Sequence, residues 1–385
     1  MVRKICFITN QYAPQWSGVA RSAHRITTGL AKSGFLIHVI APTDVDELSK
    51  DGLDMHLTTY LDNPEIDVNG IRIYRVPKKI MSKNMSDLIE LIQMLDFTEN
   101  FDLFHGFWLP LAFPMIPVAA RKDRPVVASI RGADAVRSLG LPARLPFIRT
   151  VLERANWITS VSSDLLKSMN SIYPISDRSG VIFNGIDPTN FPKWSQQNMS
   201  RGLVGTSGEL RFKKGIGLLV KAFALLRINF ETHLRLVGPF TDSIEKKSID
   251  DMVKLFGIET RFSATGWMDR HSLLSEISKF NVFVIPSYHD GMPNALLEAL
   301  ACGLPIVASN VGGMTDILTH NKNAILVEPG NETELVNAIS DLLNDESLQL
   351  RLSLGAQDLV RKMSIRNEIN SWSQLYEDLI SKSIK

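Results

Sequence analysis

Short apolar runs rich in β-branched residues alternate with helical stretches along this chain, and the alternation occurs twice. Ile5 to Ile8 is the first run, with the length and composition of a buried parallel strand. The loop Asn10 to Gly18 follows, then a helical pattern that stops near Gly34, then a second run from Leu36 to Ala41. Strand, turn, helix, strand is the repeating unit of a doubly wound parallel sheet. Further strands are predicted at Ile71–Val76, Leu103–His105, Val126–Ile130, Trp157–Val161 and Gly180–Phe183. Pro188 to Gly202, with prolines, Trp194, glutamines, serines and asparagines, reads as a linker. The alternation then restarts, with strands at Gly202–Ser207, Leu234–Val237, Phe262–Ser263, Val282–Pro286 and Pro305–Ser309. Helices at Gly215–Leu226, Ile244–Phe256, Arg270–Lys279 and Pro293–Cys302 lie between them, and helices close the chain. At 385 residues the chain exceeds the usual single core, so two α/β domains are expected.

A hydrophobic content of 44% with 22% charged residues is that of an ordinary soluble enzyme. The net charge of +1 gives no global attraction to nucleic acid or anionic membrane. Charge is nevertheless uneven: Arg121 to Arg154 holds eight Lys or Arg against Asp123, Asp134 and Glu153. Leu145, Ile148, Leu152 and Ala155 recur there at helical spacing, which predicts a core-facing helix with a charged outer face. Peripheral docking at the inner face of a membrane is the other reading of that span. Cys6 and Cys302 show no metal or disulfide spacing, and Met1 leads straight into a short strand, so a cytoplasmic protein is expected. No apolar run reaches the roughly 20 residues of a membrane-spanning helix. Asp44 and Asp46 form a D-x-D triplet in an acidic loop, read as solvated surface, and no bound metal is expected.

The chemistry concentrates between Ser287 and Gly303, S-Y-H-D-G-M-P-N-A-L-L-E-A-L-A-C-G. Pro293 suits a first helical turn because its missing N–H would go unpaired there anyway. The free N–H groups behind it form an anion site aided by the helix dipole. Asp290 precedes the helix, and Glu298 follows after seven intervening residues. Asn294, Glu298 and Cys302 share one ridge, while Leu297, Leu300 and Ala301 face a core. A phosphate-ready helix start with acids before and along it suits a nucleotide sugar, one carboxylate accepting from sugar hydroxyls and the other from a ribose diol. Upstream, G-E-L-R-F-K-K-G (Gly208 to Gly215) lies between a predicted strand and helix, where a diphosphate would sit. Lys214 supplies a point charge there, with Arg211 or Lys213 as further donors. The plainer alternatives are a solvated basic turn and surface acids near a helix start.

The acid-x7-acid segment resembles that of the retaining glycosyltransferases of family 4, the group 1 enzymes. Their GT-B architecture consists of two facing Rossmann-like domains. L-P-I-V-A-S-N-V-G-G-M-T-D-I-L and N-A-I-L-V-E-P-G-N downstream are similar to that family. So are V-I-F-N-G-I-D (Val181 to Asp187) and F-S-A-T-G-W-M (Phe262 to Met268). The resemblance implies an acceptor-side domain over 1–190, a donor-side domain over 191–365, and a helix over 366–385 crossing back to the first domain. It implies that Glu298 binds the ribose and that backbone at Gly266, Trp267 and Met268 meets the base. Lys214 and the helix start at Pro293, Asn294, Ala295 and Leu296 would stabilise the diphosphate. Asp290 and backbone at Gly291, Met292, Pro293 and Asn294 would orient the sugar.

Four positions depart from the family pattern. Glu209 stands where an arginine is expected, which makes Arg211 the candidate substitute. Asp290 replaces a longer glutamate. Ser17-Gly18 replaces a Gly-Gly pair whose backbone closes on the donor phosphate or acceptor, leaving Gly18 as the donor-binding position. Arg131, in A-S-I-R-G-A-D, stands where a histidine is common. A guanidinium cannot act as a base at neutral pH, so Arg131 is assigned to an anionic acceptor or the donor phosphate, with Asp134 accepting from a hydroxyl. His105 in L-F-H-G-F-W is a further catalytic candidate, although a lone strand-end histidine is more often structural.

The expected activity is retaining, metal-independent transfer of a hexose from a nucleotide diphosphate sugar to a hydroxyl on a glycan, a lipid-linked acceptor or a small molecule. The nucleotide sugar is a substrate, no cofactor is expected, and nucleic acid is not a partner. A nucleotide-sugar epimerase of the same architecture and a catalytically silent nucleotide-sugar-binding protein are the alternatives. A nicotinamide enzyme is disfavoured because no G-x-G-x-x-G follows the first strand.

Overall fold

The computed structural model describes residues 2–15, 17–43, 57–82, 84–132, 141–195, 202–226 and 231–383. It divides into two units, Met1–Asn184 with Arg366–Lys385, and Gly185–Ile365.

Unit 1 holds β1 (Lys4–Ile8), β2 (Leu36–Thr43), β3 (Glu65–Ile66), β4 (Arg72–Pro77), β5 (Leu103–Gly106), β6 (Val126–Ile130), β7 (Trp157–Ser160) and β8 (Ser179–Val181). They form one sheet in the order β3-β4-β2-β1-β5-β6-β7-β8. Every pairing is parallel except that of the edge strand β3 with β4. Ile5 pairs with Ile37 on one side and Leu103 on the other. All of Ile5 to Ile8 is buried, as a central strand of a parallel sheet covered on both faces must be. The strand order reverses beside β1, which makes the loop after β1 the switch point where such sheets bind ligands.

The closing helix Ile365–Ser383 packs on this unit through Ile369, Trp372, Tyr376 and Ile380. Its entry is anchored by Glu368, whose carboxylate receives Arg25 Nε at 2.7 Å and Nη2 at 3.0 Å. Helix Leu145–Arg154 buries Ile148, Val151 and Leu152 and leaves Arg149 and Arg154 exposed.

Unit 2 holds β9 (Leu203–Ser207), β10 (His233–Val237), β11 (Phe262–Ala264), β12 (Val282–Ile285), β13 (Ile306–Ser309) and β14 (Ile325–Val327). The order is β11-β10-β9-β12-β13-β14, parallel throughout. Val204, Val282, Val284 and Val307 form the sheet side of a core closed by Leu219, Phe223, Leu335 and Ile339. The order reverses beside β9, so the loops after β9 and β12 flank this unit's switch point.

The strands expected from periodicity lie within two residues of those observed, the usual uncertainty of element ends. The two-residue edge strand β3, strand β14 and helices Met85–Glu99, Glu332–Asn344 and Glu346–Lys362 were not individually anticipated. The linker reading needs correction over its first half. Phe191 and Trp194 are buried, Trp194 N–H donates to Cys302 O at 2.8 Å, and Lys193 Nζ donates to Ala301 O at 2.9 Å. That segment therefore packs against the end of helix Asn294–Cys302. No described helix is long and apolar enough to cross a membrane.

Candidate active site

Unit 2 brings the sequence candidates together at its switch point. After β9 the chain turns, then Phe212–Lys214 forms a single 3₁₀ turn that ends at Gly215 with φ 68°. A Cβ on Gly215 would lie 1.9 Å from Pro286 O. Glycine is thus required both for the left-handed backbone and for the approach of the loop after β12. Tyr288 N–H donates to Lys213 O at 2.9 Å across the same seam. The outcome is that Lys214 Nζ donates directly to Asp290 Oδ2, with 24% and 13% of the two side chains exposed. Arg211, the candidate for the missing arginine, is ion-paired with Glu209, the residue that replaced it.

Pro293 is the cap of its helix rather than the first helical residue: its ψ of 127° is extended, and the helix runs Asn294–Cys302. No side chain caps this start and no acid sits in its first turn. Leu296 N–H donates to Pro293 O at 3.1 Å, which leaves Asn294 and Ala295 as the first-turn N–H groups with neither an intrahelical acceptor nor a capping side chain. Gly291, Met292 and Pro293 are buried, while Asn294 and Ala295 are half-buried. The Asp290–Gly291 turn is held by the next loop, where Gly313 N–H donates to Gly291 O at 2.6 Å. A Cβ on Gly312 would fall 1.7 Å from Asp290 O, so the Gly-Gly pair is what lets the loop after β13 close on the site.

The expected polar ridge is only partly present. Every residue from Leu296 to Cys302 is buried, so the helix is covered almost all round. Cys302 is core, its thiol pushed up to about 12 by burial and by the nearby Glu298 carboxylate. Glu298 is 5% exposed and accepts from Arg270 Nη1 at 3.3 Å. Arg270, which also lies over the Phe191 ring at 5.3 Å, carried no motif by which sequence alone could have found it. Gly266 takes φ 71° after β11, Trp267 is 70% exposed and Met268 is half-buried.

Unit 1 places its candidates differently. Gly18 opens helix Gly18–Lys32, and Ser17 caps it by accepting from Ala20 N–H at 3.0 Å while its hydroxyl donates to Gln11 Oε1. The Ser17 hydroxyl is thus engaged within the loop and the helix start. Arg131 donates to Asn184 Oδ1 at 2.6 Å and stands over the Phe107 ring at 4.4 Å. His105 is a core residue, which corrects its assignment as a catalytic group. Its Nδ1 meets Tyr376 Oη at 2.5 Å, its Nε2 meets Ser129 Oγ at 2.7 Å, and it is fully buried. Burial, with the Arg131 charge adding to it, holds its pKa well below the usual histidine value. Asp134, Asp44 and Asp46 lie outside the described residues.

Two family matches together span residues 16–358. The family described as Glycosyltransferase Family 4 matches residues 16–190, and that described as Glycosyl transferases group 1 matches residues 189–358. The chain belongs to the group 1 glycosyltransferases. This glycosyltransferase is 25% identical over 371 residues to the N-acetyl-alpha-D-glucosaminyl L-malate synthase of Bacillus anthracis, covering 91% of each chain. Its GT-B fold is shared with a sucrose-phosphate synthase from Thermosynechococcus elongatus, at a TM-score of 0.79 and 20% identity, covering 99% of this chain and 100% of the other. HepE of Anabaena in complex with UDP-glucose superposes with a TM-score of 0.75 at 16% identity, covering 97% and 99%. Among the described residues, the glycosyltransferase has no group of three or more His, Cys, Asp or Glu placed to hold a metal.

Proposed function

We propose that the enzyme transfers a hexose, with retention, from a nucleotide diphosphate sugar to a hydroxyl acceptor. The observation that carries this reading is the meeting of Lys214 and Asp290 at the unit 2 switch point, beside a helix start that no side chain caps. A structural relative crystallised with UDP-glucose supports a donor of this class.

In the reading, the donor's diphosphate takes Lys214 and the N–H groups of Asn294 and Ala295. Lys214 then leaves Asp290, which is freed to accept from a sugar hydroxyl. Glu298, held by Arg270, accepts from the ribose, and the Gly266–Met268 turn receives the base. The bond from the anomeric carbon to the phosphate oxygen breaks, and the acceptor oxygen bonds to that carbon on the same face. The acceptor's proton passes to the departing phosphate, so no protein base is needed, in keeping with arginine at position 131. Positive groups aimed at charge that develops on the leaving phosphate are the largest catalytic contribution available here. The scheme asks for no metal, because Lys214 and the helix start carry that charge. Arg131 suits an anionic portion of the acceptor.

A thermal-shift panel of uridine, guanosine and adenosine diphosphate sugars identifies the donor, since a bound ligand raises stability by mass action. Incubation of that donor with and without acceptors separates transfer from epimerisation. A new sugar formed from donor alone, or tight binding without transfer to any acceptor, would refute the reading.

A further inference from the structure

Lys214 and Asp290 lie on different loops, and each has an aromatic residue two positions before it, Phe212 and Tyr288. The two rings stack, with centroids 5.5 Å and planes 22° apart. Tyr288 also abuts the loop after β14, where a Cβ on Gly330 would lie 3.3 Å from its Cε1. The backbone reinforces the arrangement from both sides. Tyr288 N–H donates to Lys213 O, and Phe212 N–H donates at 2.7 Å to Glu245 Oε1 in the first turn of helix Ser243–Leu255. Neither ring belongs to the core of unit 2, and Phe212 is 75% and Tyr288 39% exposed. Core stability therefore does not account for the pair, whereas its place between two charged partners does.

We propose that the Phe212–Tyr288 stack is a positioning pair. It locks the loops after β9 and β12 together so that Lys214 and Asp290 meet at one fixed point. A lysine is a flexible point charge, and where its ammonium stands depends on the backbone that carries it. The inference rests on the reading of Lys214 as the diphosphate ligand.

The test titrates UDP, GDP and ADP into the full chain by calorimetry and continues with the tightest, using its parent nucleoside as control. Phe212→Ala is expected to weaken diphosphate binding by up to about tenfold, the upper worth of a stacked pair, and to leave nucleoside binding unchanged. Phe212→Tyr, which keeps the stack, is expected to bind as wild type. In a Lys214→Ala background Phe212→Ala should add nothing further, because its effect passes through the lysine. Losses that add in the double variant would overturn the proposal. So would wild-type affinity in Phe212→Ala beside a weakened Lys214→Ala protein. If Lys214→Ala alone binds the diphosphate normally, the reading of Lys214 is at fault and the positioning role falls with it.

Discussion

Units 1 and 2 are both doubly wound parallel sheets with a switch point beside a central strand, yet they place polar groups in opposite ways. In unit 1 the polar groups near the strand ends are turned into the structure. His105 bridges Ser129 and Tyr376, and Arg25 and Glu368 pair with only 1% of the Glu368 side chain exposed. In unit 2 two pairs stand partly exposed, Lys214–Asp290 and Arg211–Glu209, beside a helix start that no side chain caps. A buried pair is costly to break, whereas a partly exposed pair exchanges partners at lower cost. The same scaffold thus uses charge to hold its own last helix in one unit and leaves it partly exposed beside a helix start in the other.

The largest effect that would sharpen this contrast is Arg25→Ala. It removes the guanidinium that meets both oxygens of the buried Glu368 carboxylate and should cost about 3 kcal/mol in urea unfolding. Arg211→Ala in unit 2 should cost less than about 1 kcal/mol. Comparable losses in the two variants would erase the distinction.

Acid should act next, and on unit 1. Burial lowers the His38 pKa to about 4, with Arg72 and Lys4 adding to the shift and Glu99 opposing it. The unfolded chain takes up that proton first as pH falls. Stability is therefore intact above about pH 6.5 and is lost on the way to about pH 4, by roughly 3 kcal/mol. Unfolding measured across this range should show the slope, and His38→Gln should flatten it. An unchanged slope would assign the loss to other groups.

Catalysis ranks just below. Lys214→Ala should reduce transfer about a hundredfold, comparable to removing one preorganised donor from a developing anion. Near wild-type turnover would remove Lys214 from the mechanism. The smallest effect has the more telling sign. Asp290→Asn should bind the nucleoside diphosphate up to about fivefold more tightly, because Lys214 no longer has a carboxylate to leave, while transfer falls. Weaker diphosphate binding would show that the two residues do not compete in this way.

Much of the scaffold was legible because its signals are local. Ile5–Ile8 and Val282–Ile285 are short, apolar and β-branched, and no partner need be known to recognise a buried strand in them. The glycines and Pro293 likewise announce a turn and a helix start through their own backbone chemistry. Lys214, Asp290 and Glu298 were singled out by type and spacing, but their pairings were not. Lys214 meets Asp290 across 76 positions, and Arg270 meets Glu298 without any motif. His105 looked reactive in sequence, and only its contact with Tyr376, 271 positions away, made it structural. Periodicity and backbone preference belong to neighbouring residues, so the chain alone determined its strands, its helices and the helix start that could receive a phosphate. Burial, and the choice of partner for each charge, depend on segments distant in sequence, and those the tertiary structure decided.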